Sequence, residues 1–278
     1  MKVDVDIYSW SKGWQTLCTL KSLMLHSGQH IDKIYLTIPL NPVSPVDIEW
    51  ITPYFDNIII NNSKRINRIS EDNVGWDYSN EDNRHSLLGQ YCLEKSDKKY
   101  VYFTHTDVLY TGDVIGDMLN KINDTAGIGI VGICWVCHFG RAGLCHGSKF
   151  GEYNPTYNQA LEVSKTTPPL RNAEIDIFQV IPAPECRLNE WACLIDREKT
   201  LQAGFPYFGI NGNTESGCRW FRNMILKGNK FVHYTGNLYE HGYWANSCGM
   251  DAGIGHPIQY AKAEFIAKQY FHEHFNDK

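Results

Sequence analysis

A chain of 278 residues with 43% hydrophobic and 21% charged content can bury a large core, as one α/β unit or as a core with an inserted lobe, and is too apolar for disorder. Its formal charge of −5 offers no excess of Lys and Arg to neutralise a phosphate backbone, so general nucleic-acid binding is not expected. From Met1 to Ser9 apolar and charged residues alternate, without the apolar run of a signal peptide or the length of a membrane span; this reads as cytoplasmic, and the nine cysteines then read as mostly reduced thiols with room for a metal site.

Val3, Val5 and Ile7 share one face of a strand, with Asp4, Asp6 and Tyr8 on the other. A helix follows from about Trp14 to His26, with Leu17, Leu20 and Leu23 or Met24 along one side. "KIYLTIPL", Lys33 to Leu40, is a second strand, and Asn57 to Ile60 a short third after a Pro-containing segment. The polar stretch from Asn62 to Asn83 reads as a surface loop leading to a helix that begins near Asn83 and runs through "RHSLLGQYCLEKS". The apolar run Tyr100 to Phe103 is the next strand. A helix from about Val114 to Ile122 and a strand "GIGIVGIC" ending at Cys134 complete a mostly parallel, helix-flanked sheet. From Trp135 to Pro184 the pattern turns irregular, as a long excursion over the sheet rather than an independent domain. Regularity returns at "ECRLNEWACLIDREKTLQAG", followed by a helix from about Glu215 to Lys227, the strand "NKFVHY" and a closing helix from about Pro257 to Phe275.

In "YVYFTHTDVLY" the strand ends in Thr104, His105, Thr106 and Asp107, a polar cluster that a buried strand has no packing reason to carry. Ligands of a parallel α/β sheet bind beyond the carboxyl ends of its strands, where Asp107 falls. Its carboxylate suits a hard divalent cation held with substrate phosphates; equally, it can cap the turn before Val108.

The order of these parts resembles the nucleotide-diphospho-sugar transferase (GT-A) fold of A-type glycosyltransferases, and is similar to the large inverting bacterial glycosyltransferase family 2. In that family the equivalent strand ends in an Asp-x-Asp-like metal motif, whose first position is held here by His105. The likeness continues through "ACLIDREKTLQAGFPYF", "NTESGCRWFRNMILKGNKF" and "HYTGNLYEHGYWANS" and so spans nearly the whole chain. It implies a single glycosyltransferase domain over 1–278, with 1–134 binding the nucleotide-sugar and 135–278 the acceptor. It implies a nucleotide-diphosphate sugar donor, an acceptor hydroxyl that the sequence does not name, and Mn²⁺ or Mg²⁺ held by Asp107 with His105 and His241. His233 competes with His241 for the late position but lies within a strand.

By the same resemblance Glu215 is the general base that takes the proton of the acceptor hydroxyl, with inversion at the anomeric carbon; Glu190 and Asp196 are rival acids, and Glu215 also reads as a helix opener. Tyr8, Ser9, Trp10, Asp77, Arg84 and Thr106 are the expected nucleotide-sugar contacts, and Trp191, Tyr243 and Trp244 the acceptor platform, although aromatic residues at this density also simply pack a loop. In "CWVCHFGRAGLCH" and the later "ECR", Cys134, Cys137, Cys145 and Cys186 can hold one structural Zn²⁺ that anchors the excursion; alternatively Cys134 is a small buried residue and the others are free thiols.

Two other readings stand beside this one. A nucleotidyltransferase shares the fold but carries a Gly-rich phosphate loop after the first strand, where "SWSKGWQT" has only Lys12 and Gly13. A non-catalytic carbohydrate-binding protein would account for His105 in place of the first metal Asp.

Overall fold

A computed structural model describes residues 1–9, 12–39, 48–63, 79–132, 134–135, 137–150, 152–153, 155–167, 186–204, 217–244 and 257–275. The first half alternates β1 (Val3–Tyr8), α1 (Gly13–Ser27), β2 (Ile31–Pro39), α2 (Ile48–Ile51), β3 (Ile58–Ser63), α3 (Glu81–His85), α4 (Gln90–Lys95), β4 (Tyr100–Thr104), β5 (Val108–Tyr110), α5 (Val114–Lys121) and β6 (Gly127–Val131). The second half comprises α6 (His138–Arg141), α7 (Tyr157–Thr166), β7 (Leu188–Asp196), α8 (Arg197–Gln202), α9 (Cys218–Leu226), β8 (Phe231–His233), β9 (Tyr239–His241) and α10 (Pro257–His274).

Seven strands form one sheet in the order β3-β2-β1-β4-β7-β6-β8. Its pairs are parallel except those of β7, which runs antiparallel to both β4 and β6. The alternation read along β1 is the alternation of the two cores. Val3, Val5 and Ile7 pack with Leu17, Leu20 and Leu23 of α1 and with Met118 and Phe271 on one face. On the other, Val101 and Phe103 of β4 pack with Leu93, Ile195, Trp220 and Phe221. Helices on both faces bury the central strands β1, β4 and β7, while the edge strands β3 and β8 are half-buried, the α/β arrangement expected from the strand and helix order.

Several elements differ from the sequence expectation for local reasons. The helix expected from Asn83 through Ser96 is split into α3 and α4, because Gly89 between them takes φ 74°, and a Cβ there would run into the ring of Phe103. β6 stops at Val131 rather than Cys134, since Gly132 takes φ 82°. α9 begins at Cys218, with Gly217 at φ 79° as its cap. The stretch expected to be irregular contains α6 and α7; Thr156 and Gln159 cap α7 reciprocally, each side chain bonding the other residue's backbone amide.

The reversed direction of β7 matters most for the site. Thr104 pairs with Ala192 and Tyr100 with Asp196, so the start of β7 lies at the same sheet edge as the carboxyl ends of β4 and β6. Glu190 and Trp191 are thereby placed beside His105, whose N–H donates to the Trp191 carbonyl at 3.3 Å. Asp196 falls at the opposite edge, where it caps α8 by accepting from Lys199 N at 3.0 Å, which answers the rivalry among the acids as far as Asp196 is concerned.

Candidate active site

The turn from β4 into β5 carries His105, Thr106 and Asp107. It is pinned from below by α1: the Thr19 hydroxyl lies 2.9 Å from the Thr106 carbonyl and 2.7 Å from that of Val108. From the side it is pinned by β9, which pairs antiparallel with β5 in the register Val108 to His241. The Asp107 carbonyl then accepts from Gly242 N at 2.9 Å. A residue more than a hundred positions away is brought beside Asp107 by three strand residues on each side, a pairing the sequence does not announce.

The result is a compact group of donors. His241 Nε2 is 3.6 Å and His105 Nδ1 3.8 Å from Asp107 Oδ1, and the ligand atoms of all three lie within 4.8 Å of one another. Asp107 is buried, and on its other oxygen faces the buried Lys12, Nζ to Oδ2 3.9 Å. Loss of water around the His241 ring, which lies flat on Trp191 at 4.5 Å and 11°, pushes its pKa down to about 4 despite the opposing pull of Asp107. At neutral pH it is an uncharged imidazole with a lone pair to give. His233 is differently employed, its Nδ1 accepting from Val131 N at 3.1 Å.

Glu190 faces the group through His105, with Oε1 3.5 Å from Nε2, and is tied to Arg187 at 3.2 Å. Burial alone would raise its pKa, but Arg187 and His105 outweigh that and hold it ionised at about 2. His105 thus presents Nε2 to the Glu190 carboxylate and Nδ1 to Asp107 at 3.8 Å, the disposition in which carboxylates orient metal-binding histidines. Trp135, 60% exposed, stacks over Trp191 at 6.2 Å and 29°, so aromatic rings run in a tier from His241 out to solvent.

The other expected residues are placed as follows. Ser9 Oγ bonds Thr16 Oγ1 at 2.7 Å, Tyr8 ends β1 with its hydroxyl oxygen buried, and Thr106 is buried in the turn between β4 and β5. Arg84 is engaged in a two-pronged pair with Glu94, at 2.6 and 3.0 Å. Tyr243 is exposed, whereas Trp244 is part of the core, packed edge-on against Tyr270. Trp10, Asp77 and Glu215 lie outside the described residues. Lys12, Arg187 and Trp135 join the site without having been singled out for it; each is an ordinary residue type whose role depends on what faces it.

No protein-family model matches the sequence, and no curated protein matches it. Among solved structures, the mannosyltransferase PcManGT from Pyrobaculum calidifontis, in complex with GDP-Man and Mn²⁺, aligns with a TM-score of 0.53 at 11% identity over 98% of this chain and 70% of that one. The fold is GT-A. Lower on the same scale are the glycosyltransferase GlyE of Streptococcus pneumoniae TIGR4, with TM-score 0.44 and 13% identity over 98% of this chain and 64% of that one, and the galactosyltransferase LgtC, with 0.47 and 10% over 96% of each. In this GT-A frame the His105–Asp107–His241 group sits at the carboxyl end of β4, the strand end at which the family resemblance leads one to expect a metal motif. Among the described residues no helix is long and apolar enough to cross a membrane.

Proposed function

We propose that this chain is a nucleotide-sugar-dependent glycosyltransferase whose divalent cation is held by His105, Asp107 and His241. The observation that carries the reading is the β5–β9 pairing, which brings His241 beside Asp107 at the carboxyl end of a sheet strand in a GT-A fold. Two imidazole nitrogens with one carboxylate favour Mn²⁺ over the strictly oxygen-seeking Mg²⁺. Bound there, the cation would neutralise charge developing on the leaving diphosphate. Lys12, on the far side of Asp107, adds a second positive charge to the same edge. Glu190 orients His105 and excludes its wrong tautomer. By the family resemblance Tyr8, Ser9 and Thr106 belong to the nucleotide side, while Trp135, stacked on Trp191, and the exposed Tyr243 offer flat apolar faces to an acceptor sugar or ring. Glu215 as the base, inversion at the anomeric carbon, and the division of 1–278 into donor and acceptor halves rest on the family resemblance.

The test is a thermal-shift screen against UDP, GDP, CDP and dTDP, each with Mn²⁺, Mg²⁺ or chelator, since a ligand of the folded state raises Tm. Stabilisation by one nucleotide that needs Mn²⁺ and is lost in Asp107→Ala supports the site and names the donor class. GDP-mannose is the first sugar donor to assay, given the ligands of PcManGT. Absence of any nucleotide shift, or a shift indifferent to both chelator and Asp107→Ala, overturns it. Binding without release of the sugar from its donor would favour the carbohydrate-binding reading, and pyrophosphate release from a nucleoside triphosphate would favour the nucleotidyltransferase.

A further inference from the structure

A second cluster of metal-seeking side chains lies where the excursion leaves and re-enters the sheet. Cys134 follows the end of β6 and Cys186 precedes the start of β7. Between them stands Gly132, whose N–H donates to the Arg187 carbonyl at 2.7 Å and whose own carbonyl accepts from Asn189 Nδ2 at 2.9 Å. A Cβ placed on Gly132 would lie 3.2 Å from Cys134 Sγ and 3.9 Å from Cys186 Sγ, so the two sulfurs flank one point. The next turn folds back on this point. A Cβ on Gly140 of α6 would lie 2.8 Å from both Cα and Cβ of Cys134, which puts the helix opened by Cys137 directly against it. The Phe139 carbonyl accepts from both Leu144 N and Cys145 N, at 3.0 and 3.4 Å, turning Cys145 over the same helix.

The four thiols lie within electrostatic reach of one another: Cys186 of Cys134, Cys137 and Cys145, and Cys145 of Cys134 and Cys137. No disulfide joins any of the described cysteines. Four thiols gathered from both ends of a long excursion contribute little there as apolar groups. That segment is otherwise short of core: from Cys134 to Thr167 the buried apolar side chains among the described residues are Phe139, Pro155 and Ala160. So small a core does not fix a segment that carries Trp135 over the active site.

We propose that Cys134, Cys137, Cys145 and Cys186 bind one structural zinc ion as thiolates. Cys134 and Cys137 have the two-residue separation by which one loop gives two ligands to a tetrahedral ion, and a set of four thiolates selects zinc among the common divalent metals. On binding, four Zn–S bonds form, each thiol gives its proton to solvent, and the ion's waters leave. The sulfurs are not already drawn to ligand spacing, which among the described residues belongs to His105, Asp107 and His241. Zinc therefore tightens the turn, and through it the seat of Trp135 on Trp191.

The experiment is metal analysis of the full chain purified under reductant without chelator. One zinc per chain is expected in the wild type and in the Asp107→Ala, His241→Ala double variant, and none in Cys134→Ser, Cys186→Ser; Cys18→Ser, a buried thiol elsewhere, keeps its zinc. Because the double serine variant can fail to fold, the wild type is also exchanged into Co²⁺, where a thiolate-to-cobalt charge-transfer band of tetrahedral intensity is expected. Zinc that disappears with Asp107 and His241 overturns the proposal. So does folded, reduced protein with neither zinc nor the cobalt band, or a disulfide among these four cysteines found by mass spectrometry. None of these outcomes depends on whether a sugar is transferred.

Discussion

Asp6 sits in the middle of the parallel sheet, 4% exposed, with its Oδ1 buried and, among the described residues, without a hydrogen-bond partner. Burial pushes its pKa from 3.8 to about 8, so in that window the folded chain keeps a proton that the unfolded chain gives up. Stability attributable to Asp6 is therefore complete below pH 3.8 and falls as pH rises toward 8, by up to about 1.4 kcal/mol per pH unit. Asp6→Asn, which mimics the neutral acid, is expected to match the wild type near pH 4 and to gain steadily in urea denaturation at pH 6 and 8; a difference independent of pH would show that Asp6 ionises normally. Glu190 makes the opposite case, an acid kept charged by its partners. Replacing it with Gln removes the fixed charge on His105 Nε2 and is expected to weaken Mn²⁺ binding by roughly 10- to 100-fold in calorimetric titration, with Tm in chelator little changed. Unaltered Mn²⁺ affinity would mean that Glu190 does not orient the histidine.

At the scale of elements, short pairings do the positioning. The polar end of β4 was legible in "FTHTD" because Thr, His and Asp contradict a buried strand, but the partner strand β9 has no sequence signature: "YEH" is three residues long and pairs across a separation no local pattern encodes. The same limit applies to Arg84. The sequence places it at the opening of a helix, but it lies in the last turn of α3, and its engagement by Glu94, which Arg84, Gln90 and His85 hold at a pKa of about 2 against the effect of burial, depends on the break between α3 and α4. That break is enforced at Gly89. Gly89→Ala sets a Cβ against the Phe103 ring at a left-handed φ, and is expected to cost more than about 1 kcal/mol in chemical denaturation. A neutral result would show that the α3–α4 turn can relax away from β4.

Across the whole molecule, the last helix closes on the first. Glu264 of α10 accepts from Trp14 N at 2.9 Å, Gln15 N at 3.2 Å and Gln15 Nε2 at 3.0 Å, satisfying the opening amides of α1 just beyond Lys12. The chain thus joins residues some 250 positions apart at the base of the site. Glu264→Ala leaves those amides without their acceptor and is expected to lose about 1–2 kcal/mol of stability, read as a lower urea midpoint. An unchanged midpoint would mean that water replaces the carboxylate at no cost and that α10 holds α1 by apolar contact alone.

What the sequence by itself determined is whatever repeats locally. The alternation of Val3, Val5 and Ile7 with Asp4 and Asp6, the helical spacing of Leu17, Leu20 and Leu23, and the strand–helix order settled the α/β class and which side of each element faces the core. Asp107 stood out because its chemistry did not suit its place in the pattern. Only the tertiary structure decided that β7 enters the sheet backwards, that Glu190 rather than Asp196 reaches the site edge, that His241 rather than His233 stands beside Asp107, and that Trp135 covers Trp191. Those outcomes rest on contacts between segments distant along the chain, whose closure is set by the packing of the entire core and not by the preferences of the residues that meet.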